Sequence, residues 1–369
     1  MKKRMIVLLL VITLGTVSCG KQSQETTVSD ETPSVVSSGL VTEAEFPEDY
    51  PESLDTYQAC FFEPDLEKVT AALMLNDPDE TFISDSGDYH ALYGEEEHLV
   101  VNTKDCIIGY IRTDAETEEE REFKKHVRGL KPMATEFYRF GNNAGLNPGH
   151  GKFKDFDQEA VLSFSSKKEV TERFFNLIEN AGFPEMDVRY VYPRNKDILT
   201  ENLKIYNGFS SIEENQYVFT EEDEDYYLMA VQKINGIPLC CHRWILDPRS
   251  EYQTDTYLEM IYTKDSGVDE INAWHLFDIK EKTGVRKIRS PLDAVREYER
   301  LYGENESLKG TTLSSVELNY IVTQKDGNLT ALPCWILVMW KDRQLSEDVS
   351  MRQYTVIAID PETLEIYNK

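Results

Sequence analysis

Two helix-start signals, each followed by a train of strand-like runs, constrain the fold of this 369-residue chain more than any other feature. The first is Ser166-Lys167-Lys168-Glu169, a capping box in which serine and glutamate satisfy each other's free backbone donors. Val170, Phe174, Leu177, Ile178 and Ala181 then recur at helical spacing, and Gly182 is placed to stop the helix. Such a helix has one apolar face to lay on a sheet. Strand-like runs follow at 188–192, 203–206, 226–233 and 237–244, the last two joined by Asn235-Gly236, the strongest short hairpin signal. Runs at 256–262 and 271–279 close this unit. The order then repeats. Ser290-Pro291-Leu292-Asp293 starts a second helix with proline at its first position, and Gly303 ends it. Runs at 313–323, 332–340, 354–359 and 364–367 come after it, with a turn at 325–328. Helix then meander, twice, predicts an α+β fold of helix-packed, curved antiparallel sheets.

The units so read are 165–280 and 285–369, preceded by an N-terminal α+β portion over 46–160. In that portion Leu66, Val69 and Leu73 suit a short helix after Pro64. Residues 99–102 and 106–112 read as strands, and 116–128 as a charged helix. The Gly- and Asn-rich run over 140–157 is the best candidate boundary.

The N-terminus predicts an address. Lys2-Lys3-Arg4, an apolar run over 5–14 and small residues before a cut site make a secretory signal peptide. The run is shorter than the roughly 20 residues that a spanning helix needs. Val17-Ser18-Cys19 matches a lipobox with Cys19 as the lipidated residue, although Thr16 stands where an aliphatic residue is usual. The alternative is ordinary secretion with Cys19 a spare thiol. Removal of 1–18 leaves Cys19 and a polar stretch to residue 45, too poor in apolar groups to order itself and read as a flexible tether. The expected location is the extracytoplasmic face of the cell membrane, held by lipid chains.

Formal charge is −28, and loss of Lys2, Lys3 and Arg4 makes the mature chain more acidic still. That argues against nucleic acid and anionic lipid as partners, since both need a basic footprint. Acidic clusters at 95–97, 116–122 and 221–225 read as solvated loops and helix faces, with divalent-cation collection the sharper alternative. Beyond Cys19, the cysteines Cys60, Cys106, Cys240, Cys241 and Cys334 have no regular spacing, so they are not a disulfide framework, and a Cys60–Cys106 pair is left open. The six histidines form no His-Glu-x-x-His, and no Cys-x-x-Cys occurs, so nothing calls for a metal or cofactor. Gly145–Lys152 fails as a phosphate loop by one residue. Gly-x-Ser-x-Gly is absent. Cys240 and His242 share one face of a strand, as strand filling or as a reactive thiol beside a base.

Aromatic residues make 11% of the chain, enough for both cores and an exposed recognition patch. Trp335 is expected to be buried and Trp340 to lie nearer the rim. Trp340 and Tyr206 are the candidate interaction residues.

The tail carries Leu318-Asn319-Tyr320, Gly327, Leu332-Pro333-Cys334-Trp335 and a last strand ending Ile359-Asp360-Pro361-Glu362-Thr363-Leu364. The earlier unit carries Tyr226-Tyr227-Leu228 and Asn235-Gly236-Ile237-Pro238-Leu239. These residues resemble the repeat units of PepSY-like and YycH/YycI-type extracytoplasmic proteins of Firmicutes, and the layout resembles that of clostridial lipoproteins. Leu364 departs from the pattern, which prefers glycine there. The resemblance implies a non-enzymatic binding or regulatory role through contact with a membrane-protein ectodomain, and carries over no catalytic residues. The competing expectation is a secreted hydrolase or ligand-capture protein acting on cell-wall or polymer substrates, with carboxylates or Cys240/His242 as working groups. Oligomeric state is not set by the sequence.

Overall fold

The structure, a computed structural model, describes residues 40–141, 146–148, 154, 156–210, 217–241, 256–303, 308–344 and 350–367. The leader, Cys19, most of the tether, most of the 140–157 loop and His242 lie outside these residues. The chain opens with β1 (Val41–Thr42), β2 (Ser53–Phe61), α1 (Leu66–Leu73), β3 (Glu80–Ile83), β4 (Tyr89–Tyr93), β5 (Glu97–Asn102) and β6 (Ile107–Arg112). Next come α2 (Glu118–Gly141), β7 (Leu146–Pro148), α3 (Lys167–Ala181), β8 (Met186–Arg194), α4 (Lys196–Ser210), β9 (Asp225–Ile234) and β10 (Ile237–Pro238). Last are β11 (Tyr257–Thr263), β12 (Gly267–Trp274), β13 (Phe277–Lys287), α5 (Pro291–Tyr302), β14 (Thr312–Lys325), β15 (Asn328–Gln344) and β16 (Ser350–Ile359).

These make a mixed α+β fold of two curved sheets. One has nine strands in the order β10-β9-β11-β12-β6-β5-β4-β3, with β8 on the other side of β9. The other has seven: β1-β14-β15-β16-β7, with β2 bridging β13 and β15. Every described pairing between strands is antiparallel except β1 with β14. Strands from 46–160 enter both sheets: β3 to β6 complete the nine-stranded one, and β2 joins the other.

Alternation explains how one sheet carries helices on both faces. From β9, Tyr226, Leu228 and Ala230 pack with α1 and α3, while Tyr227, Met229 and Val231 pack with α2 and α4. β11 divides in the same way, with Leu258 and Met260 on one side and Tyr257 and Ile261 on the other. The seven-stranded sheet lays Leu313, Trp335, Leu337 and Met339 under α5.

Local signals account for the element ends. Ser166 and Glu169 make the reciprocal capping bonds, and Gly182 closes α3 at φ 73°, a left-handed conformation that favours glycine. Ser166→Ala should cost about 1 kcal/mol, read as a lower denaturation midpoint with an unchanged slope. The β9–β10 turn holds Asn235 at φ 51° and Gly236 at φ 81°, the hairpin geometry that Asn-Gly favours. Leu364 takes φ 62° where glycine would be unstrained.

Four strand expectations are corrected: 364–367 holds only an isolated bridge from Ile366 to Ile359, and of the described part of 237–244 only Ile237–Pro238 is strand. Residues 203–206 lie inside α4, where Leu199 and Leu203 are buried one turn apart and the Asn195 side chain accepts from the Ile198 N–H at 2.9 Å. The single run 271–279 is two strands in different sheets, β12 and β13, broken at His275 with φ 48°.

Candidate functional site

Trp335 is fully buried, whereas Trp340 is half-buried beneath the Arg352 guanidinium, whose carbon sits 3.4 Å from the ring centre. Trp340 lines a cleft of about 350 Å³ with Arg189, Tyr190, Glu317, Arg352 and Tyr354. Its cations are already engaged: Arg189 donates to Glu317 at 2.7 Å and Arg352 to Asp342 at 3.1 Å. Burial pushes the Tyr190 hydroxyl up to about 12. Tyr206 is half-buried on α4 and is not part of this cleft, so the structure does not bring the two sequence candidates together. Cys241 lines the cleft. None of Cys60, Cys106, Cys240, Cys241 and Cys334 is in a disulfide. Among the described residues, no group of three or more His, Cys, Asp and Glu side chains is arranged to hold a metal ion. No described helix is long and apolar enough to cross a membrane.

A second polar concentration lies between α2 and the nine-stranded sheet. Asp225, at the first position of β9, is fully buried and takes a two-pronged bond from Arg194, Nε to Oδ1 at 2.5 Å and Nη2 to Oδ2 at 2.8 Å. Lys131 of α2 adds a third contact at 2.7 Å. Burial alone would raise the Asp225 carboxyl, but the Arg194 and Lys131 charges hold it below the usual carboxylate value. Beside it Arg128 bonds Asp269 at 2.8 Å. Asp269 is the residue left over where Ile261 pairs with Glu270 but Tyr262 with Val268, a β-bulge. Burial raises its carboxyl, and Arg128 and Lys131 offset only part of the rise. Tyr227, under the Arg194 guanidinium, donates to buried Glu259. A cavity of about 250 Å³ is lined by Arg194, Tyr227, Glu259 and Asn272. The cluster clamps α2 onto the sheet through charges paired away from water.

Among the described residues, the surface that stands out as unpartnered is the wing formed by β3 to β6. One face packs Leu92, Leu99, Val101, Ile108 and Tyr110 into the core under α1 and α3. Register places Phe82, Tyr89, Tyr93, His98 and Ile111 on the opposite face. Phe82 is 54% exposed, and Tyr89, Tyr93 and Ile111 stand exposed with it. Tyr93 stacks on His98 at 4.4 Å, and Phe82 meets Tyr89 edge-on at 6.3 Å. Burial lowers the His98 imidazole. The wing is anchored at its base by buried Glu97, which accepts from the Leu75 N–H at 2.9 Å and the Tyr110 hydroxyl at 2.9 Å. Burial and that carboxylate raise the Tyr110 hydroxyl well above the usual phenol value.

Sequence reasoning read the inner strands of this wing, at 99–102 and 106–112, but missed β3 and β4, because 80–93 shows neither helical nor long strand periodicity. One signal was present: between Lys68 and Lys104 there is no lysine or arginine at all.

No family model matches the sequence, and no curated protein matches it. The fold is similar to the 1.45 Å crystal structure of an uncharacterized protein from Eubacterium rectale, with a TM-score of 0.55 over 91% of this chain and 92% of that chain. At 16% identity the likeness is one of fold.

Proposed function

We propose that this chain is an extracytoplasmic, lipid-anchored, non-enzymatic binding or regulatory protein, and that the β3–β6 wing is the surface with which it contacts the ectodomain of a membrane protein. The observation that carries the reading is the edge strand itself: all four residues of β3 are exposed, including Phe82 at 54% and Ile83 at 53%. Large apolar side chains grouped at a sheet edge are a liability unless something covers them. The lipobox at Cys19 and the tether after it would hold this surface above the membrane. The helix-plus-hairpin units over 165–280 and 285–369, read as PepSY-like and YycI-type, would serve as its scaffold.

In-cell crosslinking of the tagged chain, followed by mass spectrometry of solubilised membranes, tests the reading. One membrane protein should be enriched reproducibly with the wild type, and enrichment should fall about tenfold or more with Phe82→Asp and Ile83→Asp together, since each loses an apolar contact of roughly 1.5–3 kcal/mol. A folded, lipidated wild-type chain that enriches no membrane protein would sink it.

A further inference from the structure

We infer that β3 takes up an extended, lysine- or arginine-bearing segment of the partner as an added strand, an inference that rests on the protein-contact reading above and supplies its geometry and chemistry. Among the described strands, β3 is the last of its sheet. It pairs Phe82 with Ala91 and Ile83 with His90, and the Ser84 N–H bonds the Tyr89 carbonyl at 2.9 Å. In an antiparallel pair, successive residues turn their backbone groups to opposite sides. Glu80, Phe82 and Ser84 therefore face β4, and the N–H and C=O groups of Thr81 and Ile83 face the open side. That is one strand-addition unit of two donors and two acceptors, flanked above and below the sheet by the apolar side chains of Phe82 and Ile83.

Charge selects the occupant. Glu97 is spent inside the wing, but Asp77, Asp79, Glu80, Asp85 and Glu95 stand exposed around the edge, and no lysine or arginine lies between Lys68 and Lys104 to offset them. A second copy of β3 would bring two such sets of carboxylates together, and an acidic segment would meet the same repulsion. A segment alternating cations with apolar residues satisfies both the backbone groups and the field.

The test uses the full-length chain in detergent micelles and two fluorescent ten-residue peptides. One alternates lysine with valine and threonine; the other has glutamate in place of lysine. The lysine peptide should bind and the glutamate peptide should not. Binding should weaken as salt is raised, because exposed charges are screened over about 10 Å at 0.1 M. Thr81→Pro removes an outward N–H without touching the β3–β4 ladder and should weaken binding about tenfold. Glu80→Lys with Asp85→Lys should shift preference toward the glutamate peptide. Equal binding of both peptides, or no response to the charge reversal, overturns the inference. So does unchanged affinity in a folded Thr81→Pro chain, or a wild-type dimer that Thr81→Pro dissolves. Should Thr81→Pro fail to fold by circular dichroism, the charge-reversed chain decides alone. A membrane partner that still crosslinks to Thr81→Pro removes strand addition while leaving the protein-contact reading intact. The expected peptide pattern without any crosslinked membrane protein removes that reading instead.

Discussion

Asp225→Asn should destabilise the fold by about 3–5 kcal/mol, the largest effect expected of a single polar substitution here, because it leaves Arg194 and Lys131 buried beside a neutral amide. Arg194 is 2% exposed and Lys131 8%, so neither charge can turn to water without dragging β8 or α2 with it. The contrast lies in replacing the whole cluster. Asp225→Leu, Arg194→Met and Lys131→Met together should recover most of the loss, since an apolar cluster of similar volume avoids the desolvation cost of all three charges. Equilibrium denaturation distinguishes the two outcomes. The pH dependence has a definite sign. The Asp225 carboxyl is held below its ordinary value of 3.8, so its contribution is full above that value and is lost as pH falls through the lower folded-state value. The gap between wild type and Asp225→Asn should therefore close in acid. Asp269 works the other way, because its raised carboxyl loses stability as pH climbs from the ordinary value to the folded one. Asp225 itself helps to raise that carboxyl, so Asp225→Asn relieves part of the cost and the two chains differ in it. A gap that is constant down to pH 2 would mean that Asp225 is not paired in the folded chain.

This clamp also shows where sequence reasoning stops. The capping box at Ser166, the proline start at Ser290-Pro291 and the Asn235-Gly236 turn are local signals, and each element forms where its signal stands. Glu97 and Asp225 were read within solvated acidic clusters, yet both are buried. Nothing in the residues around Asp225 indicates that Arg194 and Lys131 will meet it, since Lys131 is distant in sequence and arrives on α2. Helix α4 failed for a different reason: Tyr206 and Leu203 sit in an aromatic, β-prone stretch, and burial of Leu199 and Leu203 against the sheet overrode that propensity. The distribution of 46–160 over both sheets is set by long-range pairing, such as β6 with β12 and β2 with β13, which leaves no local trace. Of the two sequence candidates for contact, Trp340 reaches a cleft, but the wing became visible only once register placed Phe82 and Tyr93 on the face away from Leu92.

Trp335→Ala should cost about 3–5 kcal/mol, the range for emptying a large aromatic site in a packed core. Trp335 lies on the central strand β15 between Leu318 of β14 and Ile359 of β16, with no exposed area. Its ring meets Tyr50 edge-on at 5.4 Å, which fastens the segment before β2 to this sheet. Its indole N–H donates to the Arg289 carbonyl at 2.9 Å, immediately before the Ser290 cap of α5. One side chain thus joins three parts of the fold: an N-terminal segment, the sheet and the start of the helix that covers it. Trp335→Phe separates the contributions. It keeps an aromatic ring near Tyr50 but deprives the Arg289 carbonyl of its donor, and should cost about 1–3 kcal/mol. Hydrogen exchange gives the structural reading: α5 amides should lose protection in both variants, whereas the β3–β6 wing, on the other sheet, should keep its pattern. A Trp335→Phe chain as destabilised as Trp335→Ala would make the indole hydrogen bond dominant over packing. One indistinguishable from wild type would show that the α5 start is held by its cap and by the Arg289 N–H bond to Pro361 alone.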